Sequence, residues 1–319
     1  MSVSPTTIAA PIAPTEERRA IFIGLVRGEL RKIAHMRITW VLLGLFTLFV
    51  VGSQLILVSA PDTKSQLLNN TLGAFYNLMA GDLSILRVFS GIVTLVLAAH
   101  VVGLEYQQGT IRVLLGRGVG RLQLLGAKMV ALILVALAFL GWGLLIELAF
   151  GWGLVVALAG DAAPWRRLAD EYWVDVRYYL LCVLISLGVT LLLGVAAAVV
   201  GRSLAFGLAV GLSWFAVDNL AQIPLTLGYQ FTHSDIWLKA SGFLLGPLLN
   251  RLPDEIAPPW HVIAQTPDGP VTITNHVTGF GIMPLVAVSG AQALAVIGAY
   301  ATLFVAAAVV LTSRRETLE

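Results

Sequence analysis

Cysteine is almost absent. Cys182 stands alone inside an apolar run, which excludes an internal disulfide framework and any metal site built from clustered thiolates. Charge is scarce as well: only 12% of the 319 residues are charged, against about 25% in an ordinary soluble domain. The 20 basic residues nearly balance the 18 acidic ones, and a formal charge of +2 leaves no bulk basicity to draw nucleic acid. Three chemistries lack their motifs. There is no G-x-x-x-x-G-K-S/T loop to cradle nucleotide phosphates, no H-E-x-x-H pair for zinc hydrolysis and no G-x-S-x-G elbow for a serine nucleophile. No catalytic residue is assigned, and the chain reads as a non-enzyme.

What the chain does have is apolar length, with 58% hydrophobic residues and a mean hydropathy of +0.86. Six runs, at about 38–59, 83–104, 128–159, 178–200, 204–223 and 289–312, are each long enough to cross a bilayer, for which about 18 apolar residues suffice. The fold class expected is an all-α polytopic membrane protein, one domain over 18–319 behind a disordered tail, 1–17, rich in Ser, Thr, Ala and Pro. With the N-terminus inside, 13 of the 20 basic residues fall on the cytoplasmic side and only 6 of the 18 acidic ones. The positive-inside rule selects that orientation, with both termini cytoplasmic.

Ahead of the first span, AIFIGLVRGELRKIAHM has helical periodicity. Phe22, Leu25, Val26, Leu30 and Ile33 share a broad apolar face, and Arg27, Arg31 and His35 form an i, i+4, i+8 row on the other. The pattern predicts an amphipathic elbow helix in the headgroup layer, with Arg27, Arg31, Lys32 and His35 toward anionic lipid. Glu29 intrudes on the apolar face and is within reach of Lys32 at i+3.

Between spans two and three runs GLEYQQGTIRVLLGRGVGRLQLLGAKM, from Gly103 to Met129. Thr110 suits the N-cap of a short helix over 111–115, Gly116 a left-handed stop, and a second helix starts near Arg121. Arg112, Arg117, Arg121 and Lys128 make the loop basic, and Ile111, Leu114, Leu115, Leu122 and Leu125 give it apolar anchors. The elbow helix, the six spans, a long outer segment before span six and the pattern Glu105, Gly109-Thr110, Leu114-Leu115, Arg121 and Lys128 together resemble the permease subunits of ABC-2 type transporters. Many such permeases carry Pro-Ser before the arginine, where this chain has Val119 and Gly120. The resemblance implies that the loop is a coupling helix docking on a separate cytoplasmic ATPase, through Glu105, Gly109, Thr110, Arg112, Arg117, Arg121 and Lys128. It implies a six-span half-transporter that pairs with a second permease copy or a paralogue in a prokaryotic cell membrane. ATP and Mg would sit on the ATPase, with no cofactor in this chain. The alternative is a non-transporting scaffold or sensor that binds a cytoplasmic partner through the 105–128 loop.

Ionisable residues at membrane depth are costly and are read as functional. Arg87 and Glu147 both fall near the outer end of their spans and are expected to pair. Asp218 and Asn219, ahead of Gln222 and Pro224, are candidates for a translocation path. Gly207 and Gly211 stand at GxxxG spacing, which serves packing within the chain or a dimer seam. The outer segment, 225–288, is expected to hold a re-entrant helix from Asp235, capped by Ser234, and then a small β-hairpin about Pro267-Asp268-Gly269-Pro270. A symmetric turn there opposes His261 and His276, weak candidates for a metal in a chain otherwise assigned none.

Overall fold

The computed structural model describes residues 22–59, 71–116, 118–160, 165, 168, 170–256, 260–266, 269–275 and 288–314. The tail at 1–17, Arg117 and His276 lie outside them. The chain begins with α1 (Phe22–His35), whose buried residues are Val26, Glu29 and Ile33, one stripe at i, i+3 and i+7. A break at Met36 turns it into α2 (Arg37–Ser59). The carbonyls freed at the break are taken by side chains: Thr39 Oγ1 donates to Ile33 O at 2.7 Å and Trp40 Nε1 to Ala34 O at 2.9 Å.

Next come α3 (Thr71–Gln107), the short α4 (Thr110–Gly116), α5 (Arg121–Ala159), α6 (Asp170–Gly201) and α7 (Leu204–Leu220). After these, α8 (Gln222–Thr232), α9 (Ile236–Ser241) and α10 (Leu245–Ile256) lead to strands β1 (Trp260–Thr266) and β2 (Gly269–Asn275) and to α11 (Gly290–Arg314). Among the described residues, six helical segments are long and apolar enough to cross a membrane. The chain is a multi-pass membrane protein. Several helices run further than their apolar runs suggested: α5 has 39 residues, roughly 58 Å at the helical rise, about twice the ~30 Å hydrocarbon core. Successive spans alternate in direction, so the bundle has an elbow end, carrying α1 and α4, and a hairpin end, carrying α8 to α10.

At the centre lie α3 and α6. Their apolar windows are 67% and 72% buried, against 17% for α11 and 11% for the segment from α7 into α8, so the outer helices show most of their surface to lipid. Small residues let this core close. A Cβ on Gly194 would sit 2.9 Å from Leu95 O. One on Gly207 would meet Ala198 at 3.1 Å, and one on Gly211 would meet Leu95 Cδ2 at 3.0 Å. The GxxxG pair is thus committed to packing within the chain.

At the hairpin end, span five does not stop at residue 223. It turns at Ala221 and continues as α8, with Pro224 in the first turn, where a missing N–H leaves no helix bond broken. The expected re-entrant segment is two helices parted at Gly242, and Ser234 does not cap the first of them. Asp235 holds the N-cap position without a side-chain bond, and Ser234 accepts through its backbone oxygen from Trp237 N at 3.4 Å. α10 buries Leu245, Leu248, Leu249 and Leu252 against α6, α7 and α11. Strands β1 and β2 pair antiparallel with Trp260 opposite Asn275, which sets His261 opposite Thr274. His276, the other member of the expected pair, lies outside the described residues. The register is displaced from the symmetric one, with Thr266 opposite Gly269.

Candidate functional site

Four charged side chains close a ring at the elbow end. Glu29 comes from the buried stripe of α1, Lys32 from one turn later, Glu105 from the last turn of α3 and Lys128 from the second turn of α5. Lys128 Nζ lies 2.7 Å from Glu29 Oε1 and 2.6 Å from Glu105 Oε1. Lys32 Nζ donates to Glu29 Oε2 and Glu105 Oε1, completing an alternating circuit of two ammonium and two carboxylate groups. The Lys128 side chain is 3% exposed and that of Lys32 36%, so one cation is sealed between helices and the other sits at the rim.

An unpaired buried charge costs several kcal/mol, and such groups persist only when paired and hydrogen-bonded. The ring meets that demand for Glu29, the acid that seemed misplaced on an apolar face. Burial by itself would raise the Glu29 carboxyl, but the Lys128 and Lys32 ammonium groups outweigh it and hold it below its ordinary value of 4.5. Burial would likewise lower Lys32, and the carboxylates of Glu105 and Glu29 carry it above its ordinary 10.5. Lys32 therefore turns inward and does not join Arg27 and Arg31 on the exposed face of α1. Arg27 and Arg31 are exposed on α1, and His35 Nδ1 is bound to Arg31 O at 2.7 Å.

Directly after Glu105 the chain reverses into α4. Gly109 takes a left-handed φ of 67° and Gly118 one of 82°, so these glycines form the two turns, and Gly116 stays in the helix. Thr110 is the first residue of α4 and not its side-chain cap: its Oγ1 donates back to Glu105 O at 3.3 Å, tying the turn to the ring residue. Arg112 lies on α4, and Arg121 opens α5. Behind α4 a cavity of about 110 Å³ is lined by Tyr106, Ile111, Leu115, Arg121, Arg202 and Leu311, among others. The α6–α7 turn is fastened to the same end of α3, with Leu204 N donating to Gln107 Oε1 at 3.4 Å. The loop helix thus faces a cavity walled by α3, α5, α6 and α11.

The model of the family described as ABC-2 family transporter protein matches residues 23–232. The chain belongs to the ABC-2 transporter family. It is a membrane permease of an ABC transporter, a class of subunit that associates with an ABC ATPase. No curated protein matches the chain. The matched stretch of this ABC-2 permease contains all four ring residues and α4.

The membrane-depth residues fall into two groups that the sequence did not separate. Arg87 and Glu147 are not paired. Arg87 Nη2 donates to Asn250 Oδ1 on α10, and Asn250 Nδ2 reaches Asn219 Oδ1 at 3.4 Å. Asp218 accepts from Gly246 N at the start of α10 and so caps that helix. Arg87, Asp218 and Asn219 therefore dock α10 on the spans. Glu147 instead shares a cavity with Asp82. On α3, Asp82 and Arg87 are five residues apart, about 140° around the helix, so the face that carries Arg87 turns away from α5. Among the described residues, no three His, Cys, Asp or Glu side chains are grouped to hold a metal.

Proposed function

We propose that this permease is the transmembrane half of an ABC exporter, driven from the cytoplasm by separate ATPase subunits that bind ATP and Mg. The distribution of basic residues supports placing the elbow end in the cytoplasm. Arg112, Arg117 and Arg121 would meet the ATPase, together with the exposed Val113 of α4. Arg27 and Arg31 would rest on anionic lipid headgroups. A second copy, or a paralogue, completes the pathway, since six spans make half of such a transporter.

The observation that carries the reading is the ring. α4 is joined through the Gly109 turn and the bond from Thr110 to Glu105 to a residue shared by α1, α3 and α5. A push on α4 as the ATPases close is delivered to three helices at once, and charge pairs that can re-form in a second arrangement suit a two-state junction.

The test is co-purification with the cognate ATPase, followed by reversal of Arg112 and Arg121 to Glu. Loss of association, and of the stimulation of ATP hydrolysis by the permease, is expected. If both are unchanged, the coupling role fails. Association without any stimulation by the unmodified chain is the result that a scaffold or sensor would give.

A further inference from the structure

Glu147 is a buried acid on α5. Its residue is 7% exposed, and Oε1 has no hydrogen-bond partner. It faces a cavity of about 400 Å³ bounded by α2, α3, α5, α6 and Trp165, within the range of small-molecule sites. Asp82 lines the same cavity, and its Oδ1 accepts from Gln54 Nε2 at 2.6 Å. Counting 19 residues from Lys128 at the elbow end, Glu147 lies about 28 Å along α5. That places it at the far margin of a hydrocarbon core.

The rest of the wall is mostly apolar, leucine-rich with an aromatic part made by Phe75, Trp165, Tyr172 and Trp173. Phe75 stands edge-on to Trp165 with ring centroids 4.8 Å apart and to Tyr172 at 6.2 Å, and Trp165 stacks on Trp152 at 6.0 Å. Trp165 Nε1 is also buried without a partner. Arg177 lines the rim and is exposed, so its guanidinium has water available and does not neutralise Glu147.

We propose that this cavity binds an organic cation with an apolar body, its charge at Glu147 and Asp82 and its body against Phe75, Trp165 and Tyr172. A buried carboxylate in apolar surroundings is satisfied by a cation, and aromatic faces favour a diffuse, weakly hydrated one. A bare metal ion is a poorer fit. Ca²⁺ takes six or more oxygens and Mg²⁺ an octahedral set, whereas this wall brings two carboxyl groups, one already engaged by Gln54, among mostly apolar side chains. The shared chemistry has two sources, a free lipophilic amine or phosphonium and the ammonium headgroup of a lipid. That the cation is cargo rests on the exporter reading. That it binds does not.

The test uses the full chain in dodecyl maltoside without ATPase, with tetraphenylphosphonium as the probe and neutral triphenylphosphine oxide as its control. Saturable binding of the cation is expected, weakened tenfold or more in Glu147→Gln, weakened less in Asp82→Asn and unchanged in Asp235→Asn, which lies outside the cavity. The melting temperature of Glu147→Gln should match or exceed that of the unmodified chain, which separates lost binding from lost folding. Competition by added phosphatidylethanolamine assigns the site to lipid ammonium, and indifference to it assigns the site to a free cation. Either result supports a cation site. Equal binding by the unmodified chain and Glu147→Gln, or equal binding of the neutral oxide, overturns it. A failure here leaves ATPase coupling standing. Binding that never changes ATP hydrolysis by the assembled complex removes the cargo assignment.

Discussion

Lys128 Nζ bridges Glu29 Oε1 at 2.7 Å and Glu105 Oε1 at 2.6 Å, so a single buried ammonium group joins the elbow helix to the last turn of the central span. Replacing Lys128 by Ala leaves two carboxylates sharing the single ammonium group of Lys32 at the rim. The expected loss is about 3 kcal/mol, the lower end of what removing one partner from a buried ion pair costs. Thermal unfolding in detergent measures it. Exchanging all four, Glu29→Lys and Glu105→Lys with Lys32→Glu and Lys128→Glu, should recover part of that loss, because the charges then still alternate around the ring. No recovery relative to Lys128→Ala would sink the ring as an energetic unit.

The ring also sets a pH window. Glu29 is held below 4.5, so its contribution is fully present above that pH and is lost as pH falls through the lower folded value. Lys32 is raised above 10.5, so its contribution is present below that pH and is lost as pH rises through the higher folded value. Nitroxides at the exposed positions Arg27 and Leu122 report the separation of α1 from α5. Their distance should stay constant from about pH 5 to pH 10 and lengthen outside that interval. A change centred near pH 7 would point to a different group.

Gly103 is where α3 meets the turn into α7. A Cβ there would stand 2.8 Å from Leu204 Cα and 2.9 Å from Ser203 O, both backbone atoms that cannot rotate away. Gly103→Ala is expected to destabilise by about 1–3 kcal/mol as overpacking. Gly44→Ala, with open space at its Cβ, should be neutral or slightly stabilising. Comparing the two melting temperatures checks the close approach.

Removing the Asp218 carboxylate takes the cap from α10. Asp218→Ala should cost about 0.5–2 kcal/mol and speed amide exchange in the first turn of α10, at Leu245 to Leu248, while α3 and α6 keep their protection. Asp218→Asn, which still presents an oxygen, should lose less. Uniform acceleration across the bundle would mean that Asp218 supports more than α10.

Gly109 turns the chain at a φ of 67°. Gly109→Ala places a Cβ in the left-handed region at a cost of about 1 kcal/mol. The expected effect is weaker ATPase stimulation with little change in melting temperature. A mutant that melts early but couples normally would show the turn to be structural only.

Apolar run length specified the spans, because a bilayer demands ~18 apolar residues whatever they pack against. The amphipathic stripe of α1 and the glycine-flanked basic loop were equally legible, being local periodicities. Glu105 and Lys128 were also identified, through the family pattern. Glu29 was visible as an anomaly, an acid on an apolar face, and an anomaly of that kind calls for a cation without saying which one.

Partnership across distant segments was decided by the tertiary structure alone. Lys32 and Lys128 both answer Glu29 because α1 lies against α5, and no spacing along the chain encodes that contact. Arg87 went to Asn250 because α10 folds back among the spans, taking Asp218 and Asn219 with it. Glu147 was left beside Asp82 because Asp82 sits on the face of α3 turned about 140° away from Arg87. The sequence determined which residues must leave water and which charges must then find partners. The packing of helices far apart in the chain chose the partners, because pairing energy depends on distance in space and not on separation in sequence.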